Sequence, residues 1–422
     1  MSNHPFRPLR HRSVRLLWSA AVFSDVGTWV QLIVVGSIVA ADTGSAVLTG
    51  LVALATFAPQ GVASPIGGLL ADRYDRRKVF ATALLVQAGV TSVLAVVLAL
   101  GVRQPVVLTL LILLGSASGF IGSPSYAAMI PDLVAPDELT AMVSLGVYSW
   151  NSGRIIGPLL GAALATAVGP AWTVGFNAVT FVVLSVAVAL VRRPFRPTVA
   201  GGTIGERLAD GWRTVRTSPG VGNAIAVMVL FNITMVPFMG LMPIYIRARF
   251  DGGAGLTGLV SSAQGIGAIA GGLLATVLAV RWGKSRLLGR AIVYSSGALL
   301  FYALAPTAGT VAAAAALLGV GASTLFITSS SVVQRDAPPD KRGRVMSLMQ
   351  ASLGLSYGVG LLATGIIGDS ASLQVAFAIG AVAMVAGFAL FAWASPRWAD
   401  AYDGTLTVGA DGHEGELAVA VS

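Results

Sequence analysis

The feature that most constrains this chain is a series of apolar segments of about 20 residues or more, separated by short polar stretches. A helix of that length crosses roughly 30 Å of hydrocarbon and satisfies every backbone hydrogen bond internally. With 55% hydrophobic and 11% charged residues, the chain differs from soluble proteins, in which about a quarter of residues carry charge. We predict twelve membrane spans, near residues 16–41, 47–71, 79–101, 106–130, 139–166, 170–192, 222–247, 255–281, 287–305, 309–333, 343–368 and 373–395.

The basic residues lie predominantly on one side of these spans. With a cytoplasmic N-terminus, the cytoplasmic segments hold 23 of the 27 Lys and Arg residues, and the external loops hold only Arg103, Arg247 and Arg249. The positive-inside rule therefore predicts that both termini are cytoplasmic. The same distribution explains the net charge of +9 without nucleic acid as a partner. Cysteine is absent, which excludes disulfides and thiolate metal sites, and we expect no metal and no cofactor.

The chain also repeats itself at an offset of about 203 residues. The sequence GGLLA occurs at Gly67–Ala71 and again at Gly271–Ala275, and APDELTAMVSL (135–145) aligns with PPDKRGRVMSL (338–348). This repeat predicts two six-span halves. The expected organisation is an N-terminal bundle (1–192), a cytoplasmic linker (193–221) with a short amphipathic helix near Ile204 to Val215, a C-terminal bundle (222–395) and a disordered cytoplasmic tail (396–422).

Two charged residues, Asp25 and Arg154, lie deep inside predicted spans. A charge near the bilayer centre costs roughly 2.5 to 3.5 kcal/mol on the insertion scale, so each of them needs a role. In one interpretation they form a permanent ion pair that holds spans 1 and 5 together. In the other, Asp25 takes up a proton from one side and releases it on the other, while Arg154 changes partner between states or holds an anionic substrate group.

The loop between spans 2 and 3 carries the sequence GGLLADRYDRRKV. It resembles the G-x-x-x-D-R/K-x-G-R-R/K pattern of the major facilitator superfamily, and Asp75 stands where that family has Gly. The matching positions are Gly68, Asp72, Arg73, Arg76 and Arg77. The resemblance covers nearly the whole chain and is strongest to the branch that includes the enterobactin exporter and related drug or macrolide exporters.

Span 5 contains NSGRIIGPLLGA, which is similar to the antiporter motif of the same family through Gly153, Gly157, Pro158 and Gly161. These glycines share one helical stripe with Gly146, and span 8 has a second small-residue stripe. Close packing of helices is one interpretation, and a moving interface that seals one side of a cavity is the other. The span 8 stripe consists of Gly258, Ser261, Gly265 and Gly272.

The resemblance implies an all-α polytopic membrane protein with twelve transmembrane helices in two pseudo-symmetric halves, which works by rocking around a midplane site. It further implies a proton antiporter that exports small molecules and functions as a monomer in the bacterial cell membrane. Asp72 is expected to act as a conformational latch against the start of span 11, near Arg342 and Arg344. The expected partners are protons, lipid and a small-molecule substrate.

The predicted substrate cavity is largely apolar and aromatic, which suits amphipathic organic molecules such as drugs, siderophores or secondary metabolites. Two alternatives stay open: a proton-coupled importer of a small metabolite, and a non-transporting sensor or scaffold. An enzyme is not expected, because WGKS at 282–285 lacks the Gly that a phosphate loop needs at position 278, and no catalytic cluster occurs. The cavity candidates are Trp29, Gln31, Trp150, Asn151, Asn232, Met235, Phe238 and Tyr357.

Overall fold

The computed structural model describes residues 6–135, 138–191, 204–338 and 341–405, and this part of the chain is helical without a strand. After a short 3-10 helix at Arg7–Arg10, the helices are α1 (Arg12–Thr43), α2 (Ala46–Phe57), α3 (Pro59–Arg73), α4 (Arg76–Ala99), α5 (Pro105–Leu133), α6 (Leu139–Ala167), α7 (Pro170–Ala189), α8 (Ile204–Thr217), α9 (Pro219–Thr234), α10 (Pro237–Phe250), α11 (Ala254–Trp282), α12 (Lys284–Leu304), α13 (Ala308–Asp336), α14 (Arg342–Ser370), α15 (Leu373–Ala394) and α16 (Trp398–Asp403).

These helices supply the twelve predicted spans. Spans 2 and 7 are each broken in two, α2 with α3 and α9 with α10, where Pro59 and Pro237 begin the second segment and provide no backbone N–H. Within the described residues, eleven spans are long and apolar enough to cross a membrane. Span 5, α6, has 29 residues as well, but Asn151 and Arg154 lower its hydropathy.

The internal repeat corresponds to repeated packing. The backbone of α5 at Ile121 lies directly against Gly67, and the backbone of α13 at Val320 lies in the same way against Gly271. A Cβ atom at either glycine would overlap those backbone atoms. Gly157 of α6 packs on α1 as its repeat equivalent Gly360 of α14 packs on α9, which supports the pseudo-symmetry of the two halves.

Because the spans alternate in direction, the bundle has two ends. We call the end that contains the turn at Tyr74–Asp75 and the starts of α1 and α14 the basic end, since most Lys and Arg residues lie there. The opposite end contains the turns at 44–45, 100–104, 168–169, 251–253, 305–307 and 371–372. The predicted linker helix is α8, and its Gly211 packs on the backbone of Arg344 at the basic end of α14.

The prediction of a disordered tail from residue 396 is wrong for its first part. Residues 398–403 form α16, in which Tyr402 is fully buried and its hydroxyl lies 3.1 Å from Ser329 Oγ. The Asp403 carboxylate accepts hydrogen bonds from the backbone N–H and the hydroxyl of Ser285, at the start of α12. An aromatic side chain and a helix cap therefore hold this segment against the C-terminal half. Residues 406–422 lie outside the described residues.

Candidate functional site

A central cavity lies between the two halves, near the middle of the spans. The cavity is small, with a volume of about 20 Å³, which is room for about one water molecule. Both halves contribute to its largely apolar wall. The lining residues are Trp29, Leu32, Ile33 and Gly36 of α1, Thr49, Val52, Ala53 and Phe57 of α2, Met239, Gly240, Met242 and Pro243 of α10, Ser261 and Gln264 of α11, and Tyr357 of α14.

An aromatic row crosses this cavity from one half to the other. Trp150 meets Trp29 edge to face with ring centroids 5.6 Å apart, and Trp29 lies 6.4 Å from Phe57. Phe57 in turn meets Tyr357 of the C-terminal half at 5.9 Å. Such contacts favour planar apolar groups, and the cavity wall therefore offers a surface for the aromatic or alicyclic body of a ligand.

The structure places only part of the predicted cavity set at the cavity. Trp29 and Tyr357 line it, and Trp150 contacts Trp29 from outside the lining. The side chains of Asn151 and Asn232 bond the carbonyl four residues earlier in their own helices. These two amides therefore satisfy themselves locally, as polar groups in apolar helices commonly do.

Three of the predicted cavity residues point elsewhere, and their assignment is corrected. Gln31 Oε1 accepts a hydrogen bond of 2.7 Å from Asn177 inside the N-terminal half. Met235 and Phe238 are buried at 1% and 3% exposure in the core of the C-terminal half. The interruption of the helix before Pro237 determines this orientation. As a result Met239 lines the cavity instead.

The sequence reasoning also missed two wall residues that carry the polarity and shape of the site. Gln264 is the one amide side chain of α11, and it is 1% exposed. Phe57 ends α2 just before the break at Ala58. A lone amide in an otherwise apolar span was the available signal for Gln264, because such a group needs a partner or a ligand.

The two buried charges have separate partners. Asp25 accepts a hydrogen bond of 2.5 Å from Ser149 Oγ, and its backbone packs against Gly153. Arg154 donates from Nε to Gln264 Oε1 at 2.9 Å, across the boundary between the halves. No ion pair joins Asp25 and Arg154 in the described part of the chain, so the interpretation of a permanent pair is not supported.

The small-residue stripes of α6 and α11 pack against different helices. Gly153, Gly157 and Gly161 of α6 pack against α1 within the N-terminal half. The α11 stripe does pack on α6, because Gly258 lies against the carbonyl of Pro158 and Gly265 against Ile155 and Arg154. Ser262 strengthens this contact with a hydrogen bond of 2.6 Å to the Ile155 carbonyl. The α6–α11 contact is therefore an interface between halves.

The loop motif is organised by its own charges. Asp75 accepts hydrogen bonds from the backbone N–H groups of Arg77 and Lys78 and caps α4, with an ordinary φ of −58°. Arg76 bonds the Ala128 carbonyl of α5, and Arg77 bonds the Val191 carbonyl beyond α7. An Asp where the family has Gly therefore stabilises the turn by capping the next helix.

The other motif positions differ in their surroundings. Arg73 is exposed, and Gly68 has open space where a Cβ atom would lie, so close packing at this end of α3 depends on Gly67 alone. Asp72 is half-buried at the end of α3. The latch role of Asp72 stays a prediction.

At the opposite end, one carboxylate joins the two halves directly. Asp369, at the end of α14, accepts hydrogen bonds from the backbone N–H groups of Ala46 (2.5 Å) and Val47 (3.1 Å) and from Ser45 Oγ (2.7 Å). These groups form the first turn of α2, where backbone N–H groups lack intrahelical acceptors and the helix dipole favours an anion. This contact joins the two halves at the opposite end of the bundle.

At the basic end, a buried acid holds the N-terminal segment. Glu138 is 1% exposed and pairs with Arg7 at 3.2 Å, Arg10 at 2.9 Å and His11 at 2.8 Å. The hydrogen bond from His11, with the positive charge of Arg10, lowers the pKa of Glu138 below its ordinary value. This cluster anchors the segment before α1 to the start of α6.

Comparison with known proteins adds a family to this geometry. Residues 3–411 match the model of the family described as transmembrane secretion effector, a group of the major facilitator superfamily. Among curated relatives, the macrolide efflux protein A of Streptococcus pyogenes is 24% identical over 360 residues, 84% of this chain and 88% of that protein. The enterobactin exporter EntS of Salmonella choleraesuis is 27% identical over 350 residues, 81% of this chain and 82% of that protein.

Solved structures share the fold. A bacterial homologue of the human lysosomal transporter Spinster, in an inward-facing and unoccupied conformation, superposes with a TM-score of 0.70 at 14% identity over 93% of this chain and 97% of that one. At that identity the likeness concerns the fold alone. The family match covers nearly all of the chain, and the chain is therefore a multi-pass membrane protein that belongs to the transmembrane secretion effector family of major facilitator transporters.

Proposed function

We propose that this protein is a secondary exporter that moves amphipathic organic molecules out of a bacterial cell by proton antiport. The observation that carries the proposal is the contracted, apolar and aromatic cavity at the boundary of two pseudo-symmetric halves, in a chain whose family and relatives are efflux proteins. Small-molecule sites in transporters of this architecture lie at such a midplane boundary.

Alternating access requires contacts between the halves that can form and break. At the opposite end, the bonds of Asp369 to the first turn of α2 are hydrogen bonds at an exposed site, which water can replace. The α6–α11 interface instead relies on small residues that allow helices to slide past one another. In the proposed cycle the cavity expands toward the basic end to admit substrate, and then toward the opposite end to release it.

The orientation of the protein follows from its charge distribution. Most Lys and Arg residues lie at the basic end, which we assign to the cytoplasm by the positive-inside rule. The opposite end, at which Asp369 joins the two halves, is then external. We further propose that one copy of the chain is sufficient for transport, because both halves of the cavity belong to the same chain.

Proton coupling is assigned to Asp25. It is the one acidic residue near the middle of a described span, and its single hydrogen bond to Ser149 leaves it able to gain and lose a proton. Arg154 lies in α6, as Ser149 does. Its hydrogen bond to Gln264 connects α6 with α11 of the other half. Protonation of Asp25 would weaken the hydrogen bond from Ser149, which joins α1 to α6, because a neutral carboxyl is a weaker acceptor than a carboxylate.

The test is proton-driven efflux from inverted membrane vesicles that contain the full chain, with a panel of fluorescent amphipathic compounds. We expect at least one compound to be accumulated when a proton gradient is imposed, and the accumulation to collapse when the gradient is dissipated. Asp42→Asn serves as a control that removes an acid far from the middle of the spans, because Asp42 lies in the last turn of α1 and pairs with Arg103 at 3.7 Å. Accumulation that ignores the proton gradient would contradict antiport.

A further inference from the structure

The cavity wall contains hydrogen-bond donors that have no acceptor among the described residues. The Trp29 indole lines the cavity and is 4% exposed, yet its Nε1–H has no acceptor among the described residues. The Tyr357 hydroxyl also lines the cavity and makes no hydrogen bond in the described structure. Buried donors nearly always have acceptors, so two unpaired ones in one cavity point to a ligand that supplies acceptors.

A positive charge lies next to the cavity wall, at Gln264. Arg154 uses Nε to bond Gln264 Oε1, and its terminal guanidinium nitrogens have no partner in the described part of the protein. The oxygen of Gln264 is occupied in this way, and the one hydrogen-bond contact of its amide nitrogen within the described residues is the Met239 sulfur at 3.9 Å. No carboxylate lies within 4.0 Å of Arg154 among the described residues, and a half-buried guanidinium without a counter-ion favours an anion.

The repeat relates two of these donors. Tyr357 of α14 lines the cavity, and Arg154, which bonds the lining residue Gln264, occupies the equivalent position in α6 at the offset of 203 residues. Acids are absent from the cavity lining, and Asp25 is bonded to Ser149 outside it. A cationic ligand would therefore find no carboxylate counter-ion in this lining, whereas an anionic oxygen group would find hydrogen-bond donors and a nearby guanidinium.

We propose that the cavity selects amphipathic organic anions. Arg154 and the amide of Gln264 bind a carboxylate or another anionic oxygen group, with further hydrogen bonds from the Trp29 indole and the Tyr357 hydroxyl. The apolar body of the substrate lies on the aromatic row, where Phe57 provides its central ring. This assignment rests on the proposed function in that the cavity is the substrate site, and it adds the charge of the substrate.

The test compares two ligands that share one pyrene body and differ in one group, a charged carboxylate or its neutral methyl ester. Purified full-length protein in nanodiscs is titrated with 1-pyrenebutyrate and with its methyl ester, and binding is read from energy transfer between tryptophan and pyrene after subtraction of empty nanodiscs. We expect the carboxylate to bind the wild type at least tenfold more tightly than the ester. Arg154→Gln should reduce this preference to twofold or less by weakening only the acid, and Arg154→Lys should keep part of it.

Two further variants separate recognition from folding. Tyr357→Phe should weaken binding of the acid severalfold and binding of the ester less, because the removed hydroxyl donates a stronger hydrogen bond to a charged oxygen than to a neutral one. Arg249→Gln removes an exposed arginine at the opposite end and should change neither ligand. Unchanged ester binding in Arg154→Gln also shows that this variant is folded.

The outcomes distinguish this inference from the proposed function. Equal binding of acid and ester by the wild type, or a preference that survives Arg154→Gln, would overturn the selection of anions. Tighter binding of a cationic pyrene amine than of the carboxylate would overturn it as well. A protein that shows the expected preference in nanodiscs but never transports either compound in vesicles would refute the exporter function and leave the anion site standing.

Discussion

Asp369 is the residue whose removal should most directly change the balance between conformations. Its carboxylate bonds the first turn of α2 from the other half of the molecule, with two backbone N–H donors and one hydroxyl donor. A conformation open at the opposite end separates α14 from α2 and cannot keep these bonds. Asp369→Ala should therefore favour the open conformation without affecting the cores of the two halves.

The size of the effect follows from the exposure of the site. A hydrogen bond to a charged group contributes about 1.5 to 3 kcal/mol in a protected site, but a whole helix N-cap contributes typically about 1 kcal/mol. Asp369 is exposed, so water replaces it when the contact opens. A loss of about 1 to 2 kcal/mol is expected, which raises the population open at that end by roughly 5- to 30-fold.

The natural absence of cysteine makes the measurement simple, since one Ser261→Cys substitution provides the only thiol of the chain. Ser261 lines the cavity and is 6% exposed, so a membrane-impermeant maleimide added outside intact cells reaches it only through the opened external end. Alkylation should be 5- to 30-fold faster with Asp369→Ala and less accelerated with Asp369→Asn, which keeps an acceptor oxygen.

The matched control is Asp251→Asn, at the same end of the bundle. Asp251 has a φ of 50°, a conformation that Asn tolerates, and it makes no hydrogen bond to the other half among the described residues. Its alkylation rate should equal that of the parent. A rate within twofold of the parent for Asp369→Ala, in protein that is inserted normally, would refute the reasoning that this carboxylate holds the external end shut.

Three further predictions concern the remaining charged residues. Asp25→Asn should reduce the rate of gradient-driven efflux at least tenfold while substrate binding persists. Unchanged coupled transport in vesicles would exclude Asp25 as the proton carrier. Asp72→Asn should lower the efflux rate severalfold at normal membrane insertion, and normal transport would mean that the charges of this loop serve topology only. The lowered pKa of Glu138 stabilises the folded protein fully above pH 4.5, its ordinary value, and this contribution is lost as the pH falls through the lowered pKa. Glu138→Gln should therefore lower the thermal unfolding temperature at pH 7, and the difference from the wild type should shrink below pH 4.5.

The cavity shows why the sequence predicted the positions of the spans better than the residues on each helix that face the cavity. The spans are apolar on nearly all sides, so hydrophobic periodicity does not indicate which face meets lipid, the other half or the cavity. Trp29 and Tyr357 do line the central cavity, and their role in binding stays a prediction. Met235 and Phe238 were misplaced because the break at Pro237 redirects the helix, and a regular helical period cannot anticipate that change.

The buried charges show the same limit. Insertion energetics identified Asp25 and Arg154 from the sequence alone, because a charge at that depth is costly wherever it points. Their partners depend on which helices are neighbours and how they are rotated. Arg154 bonds Gln264, which lies 110 residues away in the other half, and Asp25 bonds Ser149 across the α1–α6 contact.

The sequence by itself determined the twelve spans and their orientation relative to one another, the two repeated halves and the resemblance to exporters, because the thickness of hydrocarbon fixes helix length and the charge distribution separates the two ends. Only the tertiary structure decided that Asp369 caps α2 from the other half, that Asp75 caps α4, and that donors without acceptors surround the central cavity. Those contacts join residues far apart in the chain, and they exist only because particular helix faces pack together.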